Sequence, residues 1–153
     1  MGGIAVRPAE RSEFAEISLL HSTVFSEIGE TLDSFLSHAE SPGVEILIAA
    51  MEEVPFKICG YATLSRRSGA VAYFNWFGVV LDQRGKGAGS SLLKAVMERC
   101  KVLGVTEAQL DTRNRFKSAI RLNLKFNFEI IGTYLGSDRD LMIKMRGDLG
   151  RAP

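Results

Sequence analysis

Val79-Val80-Leu81-Asp82-Gln83-Arg84-Gly85-Lys86-Gly87-Ala88-Gly89-Ser90-Ser91-Leu92-Leu93 runs from an apolar strand end into three glycines at alternate positions and then into a helix. Glycines let the backbone turn so that successive N–H groups converge on one point. The N-terminus of the following helix adds unpaired N–H groups and a partial positive charge. Arg84 and Lys86 add formal charge. Together these features describe a pyrophosphate site built mainly from main chain.

Outward from this loop the chain alternates between two periods. Leu92, Leu93, Val96, Met97, Cys100 and Leu103 share one face of a helix from about Ala88 to Leu103, with Gly104 placed as its C-terminal glycine. Upstream, Ile4 to Arg7 reads as a strand ended by Pro8. A helix with Phe14, Ile17, Leu20 and Val24 follows and is broken by Gly29. Thr31 caps a second helix that carries Leu32, Phe35 and Leu36 and stops at Ser41-Pro42-Gly43. Val44 to Met51 and Lys57 to Ser65 read as buried strands, with Glu52-Glu53-Val54-Pro55 as their connection. Arg66-Arg67-Ser68-Gly69 then turns the chain into an aromatic strand, Ala70 to Leu81. Downstream come a strand from Val105 to Asp111 and a helix from Phe116 to Phe126 with Asn127 as a left-handed cap. Two closing strands follow, Glu129 to Leu135 and Asp140 to Met145, around a Gly136-Ser137-Asp138 turn. The order β-α-α-β-β-β-α-β-α-β-β implies an α/β (α+β) sheet with helices on its faces. One domain is expected over residues 1–146, with 147–153 as a frayed tail.

The 153 residues are 46% hydrophobic and 24% charged, ordinary for a globular domain. No apolar run approaches the roughly 20 residues of a membrane-spanning helix. The N-terminus has no signal-peptide pattern. Cys59 and Cys100 lie in apolar segments without metal-ligand spacing, so they read as buried free thiols of a reducing compartment, and the expected location is cytoplasmic. No metal, nucleic-acid or membrane partner is indicated, and a homodimer is left open. The net charge of +1 hides an asymmetry: residues 1–83 hold 5 Lys/Arg against 11 Asp/Glu, while residues 84–126 hold 10 against 3. Such a split suits an anionic ligand on one part and a cationic one on the other.

A P-loop would need Gly followed by four residues and Gly-Lys-Ser/Thr, which the loop lacks. The dinucleotide fingerprint fails at Ser90 and would come unusually late in the chain, so a nicotinamide cofactor is a weak alternative. Arg84-x-x-Gly87-x-Gly89, between an apolar strand and an amphipathic helix, instead resembles the acetyl-CoA signature of the GNAT N-acetyltransferase superfamily. The opening Val6-Arg7-Pro8-Ala9, Gly60-Tyr61-Ala62, and Ser118 to Phe128 are similar to the family's other elements, so the likeness covers nearly the whole chain. It implies a mixed, mostly antiparallel sheet of six to seven strands flanked by about four helices, splayed between the fourth and fifth strands. It also implies acetyl-CoA as co-substrate. The pantetheine arm would lie along the backbone of Phe77, Gly78, Val79 and Val80. The pyrophosphate would rest on Arg84, Gly85, Lys86, Gly87, Ala88, Gly89 and Ser90, with Asn114 reaching the arm. Lys86, Lys117, Arg121 and Lys125 are candidates for the 3′-phosphate.

The chain departs from the family pattern at Asn123, where many members carry a Tyr that protonates the departing thiolate. An amide cannot act as that acid. For the base that takes the amine's proton, the candidates are Glu27, Glu30, His21, His38 and Tyr73. Phe25, Tyr73, Asn75 and Trp76 are candidates for the wall of an acceptor pocket. The expected reaction is direct acetyl transfer to a primary amine. The competing expectation is a CoA-binding module without catalysis.

Overall fold

The computed structural model describes residues 3–51, 57–80, 84–85 and 87–150, leaving the side chains of Leu32 and Arg67 undescribed. Seven strands form one sheet. They are β1 (Ile4–Pro8), β2 (Val44–Met51), β3 (Lys57–Ser68), β4 (Val71–Val79), β5 (Glu107–Arg113), β6 (Glu129–Leu135) and β7 (Leu141–Asp148), in the spatial order β1-β2-β3-β4-β5-β7-β6. Four α-helices accompany them: α1 (Phe14–Val24), α2 (Leu32–Ala39), α3 (Ala88–Val102) and α4 (Lys117–Lys125). Short 3-10 turns at Arg11–Glu13 and Ser26–Ile28 flank α1. β1–β2, β2–β3, β5–β7 and β6–β7 pair antiparallel. β4 and β5 pair parallel over only three residues, from Val71↔Glu107 to Tyr73↔Gln109, after which their ladder ends. The element order and the mixed, mostly antiparallel sheet match the reading of the sequence.

The chain forms two compact units. The first comprises Met1–Ser65 and Trp76–Val96, and the second Arg66–Asn75 and Met97–Pro153. In the first, Ile17, Phe35, Ile48, Tyr61, Leu92 and Leu93 are buried. The stripe that α1 buries is Ile17, Ser18 and His21, continued by Phe25 just past its end, and not the expected Leu20 and Val24. Arg7 grips Glu13 with two nitrogen–oxygen contacts of 2.7 Å, tying β1 to the turn that opens α1. Gly29 takes φ 82° and reverses the chain, and Thr31 caps α2 by accepting from the Ser34 N–H at 3.2 Å. β2 and β3 slip register at Ala49/Ala50, so Cys59 is bulged out of the ladder. The Cys59 carbonyl accepts the N–H of Val80 at 2.9 Å.

In the second unit, Ala72, Val105, Ala108, Phe128 and Met145 form the core. α3 and α4 both end in the same motif. Gly104 (φ 76°) and Asn127 (φ 68°) take the left-handed position. The N–H groups of Val105 and Phe128 then reach back to the carbonyls of Cys100 and Asn123, at 2.8 and 3.0 Å. Three boundaries differ from the sequence reading. β3 continues through Arg66 to Ser68, so the turn lies at Gly69 and Ala70. The fifth strand begins at Glu107 and runs to Arg113. The last strand, read as ending at Met145, runs on: Gly147 and Asp148 pair with Ala108 and Glu107, and Leu149 is buried with its N–H on the Thr106 carbonyl. Gly147 serves packing, since a Cβ there would meet the Phe128 ring at 2.7 Å.

Candidate active site

The glycine loop lies in the first unit. Arg84 is exposed and its Nε donates to the Val79 carbonyl at 3.2 Å, which anchors the loop to the strand it leaves. Gly85 and Gly87 take φ 78° and 90°, a conformation that side chains resist. Gly87 supplies the first helical carbonyl, accepting from the Ser91 N–H at 3.0 Å. The amides of Ala88, Gly89 and Ser90 therefore open α3 without acceptors inside the helix. Of the expected cradle, Gly85, Gly87, Ala88, Gly89 and Ser90 are described, while Leu81, Asp82, Gln83 and Lys86 lie outside the described residues.

Phe77, Gly78 and Val79 end β4 as expected. Val80, just past the strand end, has its N–H committed to the Cys59 carbonyl. Gly60 and Gly78 are glycines for want of room. A Cβ on Gly60 would meet Leu92 Cδ1 at 2.9 Å and the Gly78 carbonyl at 3.0 Å, and one on Gly78 would meet Tyr61 Cε1 at 2.7 Å.

Behind this strand end lies a polar chain inside an aromatic cluster, still in the first unit. His21 is 0% exposed. Its Nδ1 is hydrogen-bonded to the Tyr61 hydroxyl and its Nε2 lies 2.8 Å from Glu30 Oε1. Phe25, Phe35 and Trp76 surround the imidazole, with ring centroids 5.2, 5.1 and 4.7 Å away. Burial holds His21 below the ordinary imidazole range, with Glu30 opposing that shift. Burial, helped by the Glu30 charge, pushes the Tyr61 phenol well above its ordinary range. His38 is half-buried and also held low, chiefly by burial; its Nε2 sits 3.1 Å from Thr63 Oγ1, which accepts the Trp76 N–H at 3.1 Å.

Of the residues read as catalytic, Glu27 is exposed on the 3-10 turn of the first unit. Tyr73 (β4, half-buried) and Asn123 (α4, 9% exposed) belong to the second unit. Asn114, also in the second unit, accepts from Lys117 Nζ at 3.0 Å through its side-chain oxygen. Asn75 Oδ1 is buried without a hydrogen-bond partner among the described residues. The sequence reading weighed His21 and Glu30 but missed Tyr61. The available signal was the four-residue spacing of Ile17, His21 and Phe25, which sets the imidazole on the buried stripe. Among the described residues, no group of His, Cys, Asp and Glu could hold a metal ion, and no helix is long and apolar enough to cross a membrane.

A seven-stranded mixed sheet, with a glycine loop feeding a helix N-terminus after its fourth strand, defines an acyltransferase-type α/β fold. The sequence matches the Acetyltransferase (GNAT) family over residues 14–128, so the chain belongs to that family. A search of curated proteins gave no match. Among solved structures, the chain is similar to Ard1 from Thermoplasma volcanium (21% identity, TM-score 0.79, 95% of this chain and 97% of that one). It is similar also to Arabidopsis thaliana NAA60 in complex with acetyl-CoA (17%, 0.81, 97% and 100%). A third is the ribosomal-protein-S18-alanine N-acetyltransferase from Escherichia coli (17%, 0.78, 99% and 97%).

Proposed function

We propose that this protein moves an acetyl group from acetyl-CoA to a primary amine by direct attack within a ternary complex. The observation that carries the reading is the pair of left-handed glycines, Gly85 and Gly87, leading into the N-terminus of α3 beside Arg84. Main-chain N–H groups converging at a helix start are a diphosphate site, and a side chain at either glycine would oppose the turn. The family match and the acetyl-CoA bound to the Arabidopsis neighbour support acetyl-CoA as the co-substrate. The neighbour named as an alanine N-acetyltransferase supports an amine acceptor. Arg84, Gly85, Lys86, Gly87, Ala88, Gly89 and Ser90 would hold the diphosphate; Phe77 to Val80 and Asn114 would line the pantetheine arm.

The amine must be neutral when it attacks, so a base has to take one proton, directly or through water. Glu27 and Tyr73 stay as candidates, with Glu30 beside them. Cys59 and Cys100 are buried thiols outside any disulfide, which fits a reducing cytoplasm, and no cysteine lies in the loop to suggest an acyl-enzyme. A second reading, a CoA-binding module without turnover, draws on Asn123: this amide is buried where the family often has a phenol, and it has no proton to give a thiolate. Thiol release from acetyl-CoA against a panel of primary amines separates the two. Turnover with at least one amine is expected; binding of CoA with no release across the panel would establish the module.

A further inference from the structure

We infer that Glu30 is the group that receives the acceptor's amino group and takes its proton, and that buried His21 and Tyr61 act through it as positioning residues. This rests on the acyl-transfer reading above. The hydrogen-bond polarity of the chain follows from elementary donor rules. An ionised carboxylate only accepts, so the proton on the 2.8 Å contact belongs to His21 Nε2. Nδ1 is then an acceptor, and the Tyr61 hydroxyl must be its donor. One direction runs through all three groups: Tyr61 O–H to Nδ1, Nε2–H to Glu30.

Ser34 Oγ lies 3.0 Å from Glu30 Oε1 and 2.8 Å from the Thr31 carbonyl, and its single proton serves one of them at a time, so His21 Nε2 is the constant donor to Oε1 and neither group engages Oε2. Glu30 is the solvent-facing member, 21% exposed at its side chain against 0% for His21 and Tyr61. Its backbone is equally fixed, between left-handed Gly29 and the cap residue Thr31, with its N–H on the Phe25 carbonyl at 3.4 Å. Glu27, three residues away, is exposed and lacks this support. A leucine at position 21 would have completed the apolar stripe of Ile17 and Phe25, whereas a histidine there demands two buried partners. Its other titratable neighbour is His38 on α2, turned to Thr63.

In the step itself the amine nitrogen bonds to the thioester carbonyl carbon and the carbon–sulfur bond breaks. The nitrogen's proton passes to Glu30 Oε2, and the thiolate is protonated from solvent. His21 keeps its Nε2 proton throughout. The test is steady-state thiol release from acetyl-CoA with n-butylamine, 1,5-diaminopentane and a tetrapeptide with a free N-terminus. Glu30→Gln should lower kcat roughly 100-fold or more with KM for acetyl-CoA unchanged. His21→Leu should lower kcat/KM for the amine about tenfold with KM for acetyl-CoA unchanged, because the carboxylate loses the donor that orients it. His21→Gln, which keeps a donor, should restore part of that loss, and Tyr61→Phe should act in the same direction more weakly. Activity of Glu30→Gln within about threefold of native, or a native kcat/KM for the amine in a folded His21→Leu, would overturn the proposal. Nitrogen NMR of the native protein checks it without any substrate or variant: the Nε2–H tautomer of His21 is expected, and the Nδ1–H tautomer would overturn it. A native protein that shows this tautomer and binds CoA but acetylates none of the amines removes the acyl-transfer reading, and with it the role given to Glu30.

Discussion

Replacing Gly78 by alanine tests the packing that joins the strand end to the buried polar chain. An alanine Cβ would lie 2.7 Å from Tyr61 Cε1, where ordinary contact begins at 3.4 Å, so about 0.7 Å has to be found. The ring cannot give it freely, being fully buried and hydrogen-bonded to an equally buried His21. Overpacking of this kind costs about 1–3 kcal/mol. At roughly 2–4 °C per kcal/mol for a chain of this size, Tm should fall by about 2–12 °C. Thermal denaturation followed by circular dichroism measures this directly. A double-mutant cycle identifies the cause: in a Tyr61→Leu background the added alanine should cost less than about 0.5 kcal/mol, because its obstacle is gone. A Gly78→Ala protein melting within about 1 °C of native, or full additivity with Tyr61→Leu, would refute the reasoning.

Asn127 holds the left-handed cap of α4 at φ 68°; Asn127→Gly should be neutral or slightly stabilising, while Asn127→Val should lower stability by about 1–2 kcal/mol in urea denaturation. Burial depresses the imidazoles of His21 and His38, so each binds fewer protons in the folded than in the unfolded state. Their contribution to stability is present above the unfolded value near 6.5 and lost as pH falls below it toward the folded value. Tm should therefore be lower at about pH 5.5 than at about pH 7.5, with a smaller difference in His21→Leu; a Tm that rises on acidification contradicts this.

Element types and most boundaries were legible because they are local. Val44 to Met51 is a strand at both ends as read, Thr31 is a cap, and Gly104 and Asn127 are left-handed ends. Each rests on a few neighbouring residues whose chemistry permits one conformation. Two of the loop's glycines were legible for the same reason, since Gly85 and Gly87 take left-handed φ values, whereas Gly89 lies within α3. The buried chain was not. His21 and Tyr61 are 40 residues apart, and periodicity assigns each to a face without naming its partner. Gly147, where the frayed tail was read to begin, lies inside the last strand. Only the Phe128 ring stacked over it, nineteen positions earlier, explains why that strand position has no side chain.

Isothermal calorimetry of acetyl-CoA binding to the native protein and to Gly87→Val bears most directly on the diphosphate cradle. At φ 90° a β-branched residue cannot keep the loop's turn, and no atom of the described residues lies within 4 Å of a Cβ there to confuse a conformational effect with a clash. Saturable one-to-one binding by the native protein is predicted, weakened at least about tenfold in a variant with an unchanged circular dichroism spectrum. No heat of binding to the folded native protein, or equal affinity in the two, would contradict the account.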